Sequence, residues 1–213
     1  MTVLLSIGGH DLKASNHKEY SRLDPVTGAV ASVSAAATLD DVVSATTAAQ
    51  YAFPAWAQTG PIERRNLLNK TADIMESKQD DFIAAMITET GATGPWAGFN
   101  VMLAAGHIRE AAALTTQIGG EVIPSNKPGT LAMSVNKPKG VCLAIAPWNA
   151  PIILGARAIA TPLACGNTVI FKSSEFCPLT HRLIIDCFLE AGFPAGVINL
   201  ISNDPSDAPS VVK

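Results

Sequence analysis

Two polar clusters carry the side chains best able to do chemistry. One is Pro147-Trp148-Asn149, directly after the apolar run at residues 141–146, and the other is Lys172-Ser173-Ser174-Glu175, directly after the run at 168–171. An amide such as Asn149, set where a helix begins, can offer an N–H to a developing negative oxygen, and the positive end of the helix dipole adds to the effect. Asn149 can equally serve as no more than the cap of a helix opening at Pro151. In the second cluster Lys172 and Glu175 stand three apart, with two serines between them. A carboxylate there can accept both hydroxyls of a ribose while the ammonium donates to the same sugar. The plainer alternative is a solvated turn with an ion pair. Their joint occurrence after two neighbouring strands favours a ligand site.

Both apolar runs lack alternation and are bounded by Gly and Pro, so fully buried strands are expected. A helix-like stretch separates them, which makes a β-α-β unit with parallel strands. Open parallel sheets take ligands at the carboxyl ends of their strands, where both clusters fall. From Gly140 onward the pattern reads strand 141–146, helix 151–165, strand 168–171, helix 179–191 closed by Gly192, and strand 197–201. This is half of a doubly wound domain. The expected fold class is α/β, with amino-terminal helices packed on the first part of a Rossmann-like parallel sheet. The Gly-x-Gly-x-x-Gly fingerprint is absent from the first turn, so no conventional pyrophosphate cradle is expected there.

Upstream, the first 36 residues read as an extended lead-in with a turn at Asp24-Pro25-Val26-Thr27-Gly28. Thr38, followed three residues later by Asp41, resembles a capping box. The helix it opens carries Val42, Ala45, Ala49, Ala52 and Phe53 on one face and runs to Trp56. Gly60-Pro61 breaks it, and Pro61 opens a second helix with Leu67, Leu68, Thr71, Ile74 and Met75 inward and Glu63, Arg64 and Arg65 outward. A third helix over 80–90 ends at Gly91, and a fourth runs from Pro95 to Ile118. On it, Trp96 and Phe99 are expected in the core, since aromatic residues at helical spacing usually pack. Residues 121–139, rich in Pro, Asn, Lys and Gly around an alternating strand at 131–135, read as an exposed ribbon. The stretch 202–213 should begin a further crossover, and an unpaired sheet edge leads to the expectation that the natural chain continues.

Composition narrows the partners. Net charge is −3, from 15 Lys+Arg against 18 Asp+Glu, without a basic tract, which argues against nucleic acid or an anionic membrane. The longest uncharged apolar stretch, 141–156, is interrupted by Pro147, Asn149 and Pro151 and ends at Arg157, too short and broken to span a bilayer. The start lacks the basic prefix of a secretory signal. Cys142, Cys165, Cys177 and Cys187 sit in apolar surroundings without paired spacing, as expected of free thiols in a reducing cytoplasm. His10, His17, His107 and His181 form no ligand pair, so no metal site is assigned.

The motifs together resemble the aldehyde dehydrogenase superfamily. They are the run 141–146 with Pro147-Trp148-Asn149, then Ala164-Cys165-Gly166-Asn167-Thr168-Val169, Phe171-Lys172-Ser173-Ser174-Glu175, the stretch 190–199, and Asp24-Pro25-Val26-Thr27-Gly28. The likeness covers essentially the whole chain. Residues 91–101 and 120–124 look most like the aromatic-aldehyde branch, such as salicylaldehyde, benzaldehyde or vanillin dehydrogenases. The resemblance implies NAD- or NADP-dependent oxidation of an aldehyde to a carboxylic acid by a homo-oligomer. Asn149 would then be the catalytic amide that steadies the oxyanion of the thiohemiacetal. Lys172, Ser174 and Glu175 would hold the adenosine ribose, Glu175 favouring NAD over NADP, with Ile145, Ala146, Pro147 and Trp148 lining the cofactor cleft. Phe99, Leu103, Leu154 and Arg157 would face the aldehyde, and Arg157 could equally be held by a salt bridge.

In domain terms the resemblance implies an amino-terminal helical part over 1–118, an oligomerisation ribbon over 119–139, and the first β-α-β-α-β of the NAD-binding domain over 140–213. Ser173 stands where many relatives carry proline, which should loosen the turn. The family's Gly-Gln-x-Cys nucleophile context, its Glu-Leu-Gly-Gly base segment and its Gly-Ser-Thr-x-x-Gly turn do not occur in these 213 residues. An amino-terminal fragment, inactive alone, is the expectation. The rival readings are a non-catalytic nucleotide-binding or subunit-interaction module, or a truncated gene product.

Overall fold

The computed structural model describes residues 2–204, so the expectation for the rest of 202–213 lies mostly outside the described residues. The chain opens with short strands β1 (Thr2–Val3), β2 (Leu5–Ile7), β3 (His10–Leu12), β4 (Glu19–Leu23) and β5 (Val30–Ala35). Four helices follow: α1 (Leu39–Gln58), α2 (Pro61–Ser77), α3 (Gln79–Thr90) and α4 (Gly94–Leu114). A two-stranded ribbon, β6 (Val122–Ile123) and β7 (Ala132–Met133), leads into β8 (Val141–Ile145), α5 (Pro151–Ala164), β9 (Thr168–Lys172), α6 (Pro178–Ala191) and β10 (Ile198–Ile201).

The main sheet has five strands in the order β3-β2-β10-β9-β8. β8, β9 and β10 are parallel, as expected of the β-α-β-α-β pattern, while β2 joins antiparallel at the far side of β10. The lead-in is therefore sheet, half of it woven into the parallel core. Helix α1 covers one face of this sheet through Ala45 and Ala49, which meet Leu5, Ile7, Ile170 and Ile201. The other face is covered by α5 and α6, with α2 and α4 packed outside them around Ile159, Leu163, Phe171 and Phe188. α1 starts as expected: Thr38 Oγ1 accepts the Asp41 N–H, and the Asp41 carboxylate accepts the Thr38 N–H at 2.8 Å. Gly91 and Gly192 end α3 and α6 at φ of 71° and 103°, a backbone region open to glycine at no steric cost.

Three expectations fail for identifiable reasons. β8 is not fully buried: Leu143 and Ile145 are 46% and 52% exposed. It is the edge of the sheet, and only Val141, at its start, reaches the cluster under α1. Arg64 does not stay out. It is buried without a carboxylate partner among the described residues, and donates to the carbonyls of Thr59 and of Ala164, at 3.0 Å for the latter. Those carbonyls close α1 and α5, so the cation sits between the negative ends of two helix dipoles. Helix α4 stops at Leu114, well before Ile118, where Arg65 takes the carbonyls of Ala112 and Ala113 at 3.2 and 3.4 Å.

Candidate active site

Ile145 pairs with Lys172 in the register of β8 and β9, so the turns after both strands leave the sheet side by side. The first turn passes through buried Ala146 and exposed Pro147, Trp148 and Asn149 before α5 begins at Pro151. The N-cap of α5 is Ala150, without a side-chain cap and with no acidic residue in the first turn. Asn149 therefore does not act as the cap. Its side chain makes no hydrogen bond among the described residues, while its backbone carbonyl accepts the Trp96 indole N–H at 3.4 Å. An uncommitted amide beside a helix start with no compensating acid is free to donate to an anionic oxygen.

The second turn is pinned from three sides. Ser173 N–H donates to the Ile201 carbonyl at 2.9 Å, extending the β9–β10 ladder by one residue. Ser174 N–H donates to His181 Nδ1 at 3.0 Å, and Phe176 N–H donates to Ser174 Oγ at 3.2 Å. Serine in place of proline thus tightens the turn instead of loosening it, since proline has no N–H for Ile201. Ser174 is buried and its hydroxyl is used within the turn. Lys172 Nζ lies 3.3 Å from Glu175 Oε2, with side chains only 11% and 26% exposed. This pair is largely covered, unlike the solvated pair of the plainer reading. Across the gap, the rings of Trp148 and Phe176 meet at 5.9 Å, and the Arg22 guanidinium lies 5.0 Å over Phe176. A carboxylate with free lone pairs, an ammonium and an aromatic wall at strand ends fit a nucleotide sugar.

Neither buried thiol is poised as a nucleophile. Cys177 and Cys187 are buried, and Cys142 and Cys165 are half-buried. Cys177 Sγ stands 3.8 Å from His181 Nε2. Burial pushes that thiol far above its ordinary range and pushes His181 down to about 3, so both stay neutral. A nucleophilic pair needs the opposite, a thiolate beside an imidazolium. Burial likewise lifts Cys187 to about 12.

The proposed substrate residues lie on two helices packed against each other, Phe99 and Leu103 on α4, Leu154 and Arg157 on α5. Phe99 and Trp96 are 43% and 41% exposed and stack at 5.6 Å, so neither is core as expected. The Trp96 indole sits at the Asn149 turn, which holds it at the surface. Arg157 is exposed and makes no ion pair among the described residues. Sequence reasoning missed two supports of the site. His181 is one; its only signal was a histidine on an apolar helix just after the second cluster. Glu89 is the other, fully buried at the end of α3. Its carboxylate accepts Leu179 N–H at 2.9 Å, Thr180 N–H at 2.8 Å and Ser32 Oγ–H at 2.5 Å, and so caps α6 from a different helix. Desolvation raises its pKa, and these donors offset part of the rise.

Residues 12–211 match the family model described as the aldehyde dehydrogenase family. The chain belongs to the aldehyde dehydrogenase family. It is 57% identical over 211 residues to a vanillin dehydrogenase from a Pseudomonas species, covering 99% of this chain and 44% of that protein. It is 49% identical to a salicylaldehyde dehydrogenase from Pseudomonas putida, with the same two coverages. The crystal structure of a salicylaldehyde dehydrogenase from Pseudomonas putida, complexed with salicylaldehyde, superposes with a TM-score of 0.97 at 49% identity, over 99% of this chain and 44% of that one. An NAD-dependent benzaldehyde dehydrogenase from Corynebacterium glutamicum gives 0.93 at 31% identity, over 97% and 45%. This aldehyde dehydrogenase segment thus spans less than half the length of the relatives it matches. Among its described residues, no helix is long and apolar enough to cross a membrane.

Proposed function

We propose that this chain carries the ribose-holding and oxyanion-donating half of an NAD(P)-dependent aldehyde dehydrogenase site. The whole protein would oxidise an aromatic aldehyde to its carboxylic acid. The observation that carries this reading is the Ile145–Lys172 register, which sets a free amide beside a covered Lys172–Glu175 pair at one sheet end. NAD(P), when bound, supplies the hydride acceptor. Glu175 accepts from the ribose hydroxyls, Lys172 donates to the same sugar, and the Ser174 turn holds both in place. Glu175 also repels a 2′-phosphate, which favours NAD. Ile145, Ala146, Pro147 and Trp148 wall the cleft, and Asn149 donates its amide N–H to the carbonyl oxygen as negative charge gathers there.

The vanillin, salicylaldehyde and benzaldehyde dehydrogenases among its relatives support an aromatic substrate. Phe99, Leu103 and Leu154 would offer it apolar surface, and Arg157, without a partner of its own among the described residues, would meet a hydroxyl or phenolate on the ring. The domain division at 118 and 139 belongs to the same proposal; α4 ends at Leu114 and β7 at Met133, a few residues before each bound. The ribbon exposes Val122, Leu131, Met133 and Val135, which supports a homo-oligomer assembled through it. Free thiols support a cytoplasmic protein. The buried, neutral thiols of Cys177 and Cys187 favour a second reading for the 213 residues alone, nucleotide binding without turnover.

Calorimetric titration of the chain with NAD tests the site. Saturable heat is expected; its absence at millimolar NAD overturns the reading.

A further inference from the structure

His181 on α6 has no exposed surface, and its ring lies between the turn after β9 and helix α5. Nδ1 accepts the Ser174 N–H at 3.0 Å, which leaves the proton of the neutral ring on Nε2. The carbonyl of Pro151, the first residue of α5, faces the ring as a hydrogen-bond acceptor. Phe171 of β9 meets the ring edge-on, with centroids 5.0 Å apart. A Cβ at Gly155 of α5 would stand 3.7 Å from His181 Cδ2, so this helix passes directly against the imidazole. One buried side chain therefore touches the turn after β9 and the helix that starts after the β8 turn.

We propose that His181 is a positioning residue: a neutral imidazole that fixes the Lys172–Glu175 turn and the Asn149 turn relative to each other. This rests on the reading of those turns as two parts of one nucleotide site. The buried Ser174 N–H needs an acceptor, which an imidazolium cannot be. Burial, and after it the Lys172 ammonium, keeps the ring unprotonated, and the Cys177 thiol beside Nε2 brings no charge. The clamp therefore holds its geometry across the neutral pH range instead of switching within it.

Two substitutions separate its arms. His181→Asn keeps an acceptor near Nδ1 and drops the donor toward Pro151. His181→Gln places an amide near Nε2 and drops the acceptor for Ser174. With both variants folded, as judged by their melting transitions, His181→Gln is expected to weaken NAD binding about tenfold, the scale of one lost hydrogen bond. His181→Asn is expected to hold NAD affinity within about threefold. It should instead move the Trp96 indole N–H resonance, which reports on the Asn149 carbonyl. Unchanged affinity together with an unmoved indole signal overturns the proposal. Should the wild-type chain bind no NAD, the nucleotide reading fails, and the indole shift alone decides whether His181 positions the turn. Should neither variant fold, imidazole 15N spectra of the wild-type chain decide: Nε2 protonated and Nδ1 bare from about pH 5 to about pH 8 supports the clamp, and the other tautomer or a titration in that span overturns it.

Discussion

Ile145 of β8 stands opposite Lys172 of β9, and the two residues mark the last rung of the parallel ladder on each strand. Beyond that rung the chain turns twice at the same height, once into Asn149 and once into Glu175. Ile145 is half exposed because β8 closes the sheet in this chain, whereas β9 lies between two parallel neighbours and is buried along its length.

Replacing Asn149 by Ala should barely change stability, within about 0.5 kcal/mol, because its exposed side chain makes no hydrogen bond among the described residues. A helix cap would lose about 1 kcal/mol instead. Thermal melts of the two chains separate a functional amide from a structural one.

Gly155 is required by the close approach of α5 to α6. A Cβ there would come within 2.7 Å of Ile184 Cδ1 and 3.3 Å of Phe171 Cζ. Gly155→Ala should cost about 1–3 kcal/mol by overpacking. Ile184→Val removes the closest atom, so the double variant should recover part of that loss. A double-mutant cycle by denaturant unfolding measures the coupling, and strict additivity would show that the contact is relaxed elsewhere.

Acid should weaken the fold through His181. Burial holds its pKa near 3 in the folded chain against an ordinary 6.5, so between those values only the unfolded chain takes up the proton. Stability then falls by about 1.4 kcal/mol per pH unit as pH drops below about 6.5. Glu89 works in the opposite sense. Its raised pKa lets the folded chain keep a proton that the unfolded chain has released, so its share of stability falls as pH rises above the ordinary carboxyl value. Comparison with His181→Gln isolates the histidine. From about pH 6.5 to about pH 5 the wild-type chain should lose on the order of 2 kcal/mol more than the variant. Parallel pH dependences in the two chains would place His181 in a wetter environment than its packing shows.

The β-α-β-α-β order, the Thr38 capping box and the glycine stops at Gly91 and Gly192 were legible because each is a local signal. The parallel register of β8 and β9, and with it the position of both clusters, followed from that order. What escaped depends on contacts distant in sequence. Nothing near Leu5–Ile7 announces that this segment pairs with Ile198–Ile201, almost the whole chain away. Arg64 belongs by pattern on the outer face of α2, yet carbonyls at two helix ends draw it inward. Glu89 reads as one more acid near a helix end, while its four donors come from Ser32, Leu179 and Thr180 on other elements. The continuous apolar run of β8 signalled burial on both faces; on one of them α1 reaches Val141 and leaves Leu143 and Ile145 bare.

The central claim is that Glu175 accepts the ribose hydroxyls of a bound dinucleotide. It is tested most directly by titrating the chain and its Glu175→Gln variant with NAD and with NADP. The account predicts that the wild-type chain prefers NAD by at least about tenfold. In the variant, NAD binding should weaken by a similar factor and the preference should collapse toward unity, as the charge that repels a 2′-phosphate and strengthens the hydroxyl contacts is removed. Equal affinity of both chains for both dinucleotides would contradict it.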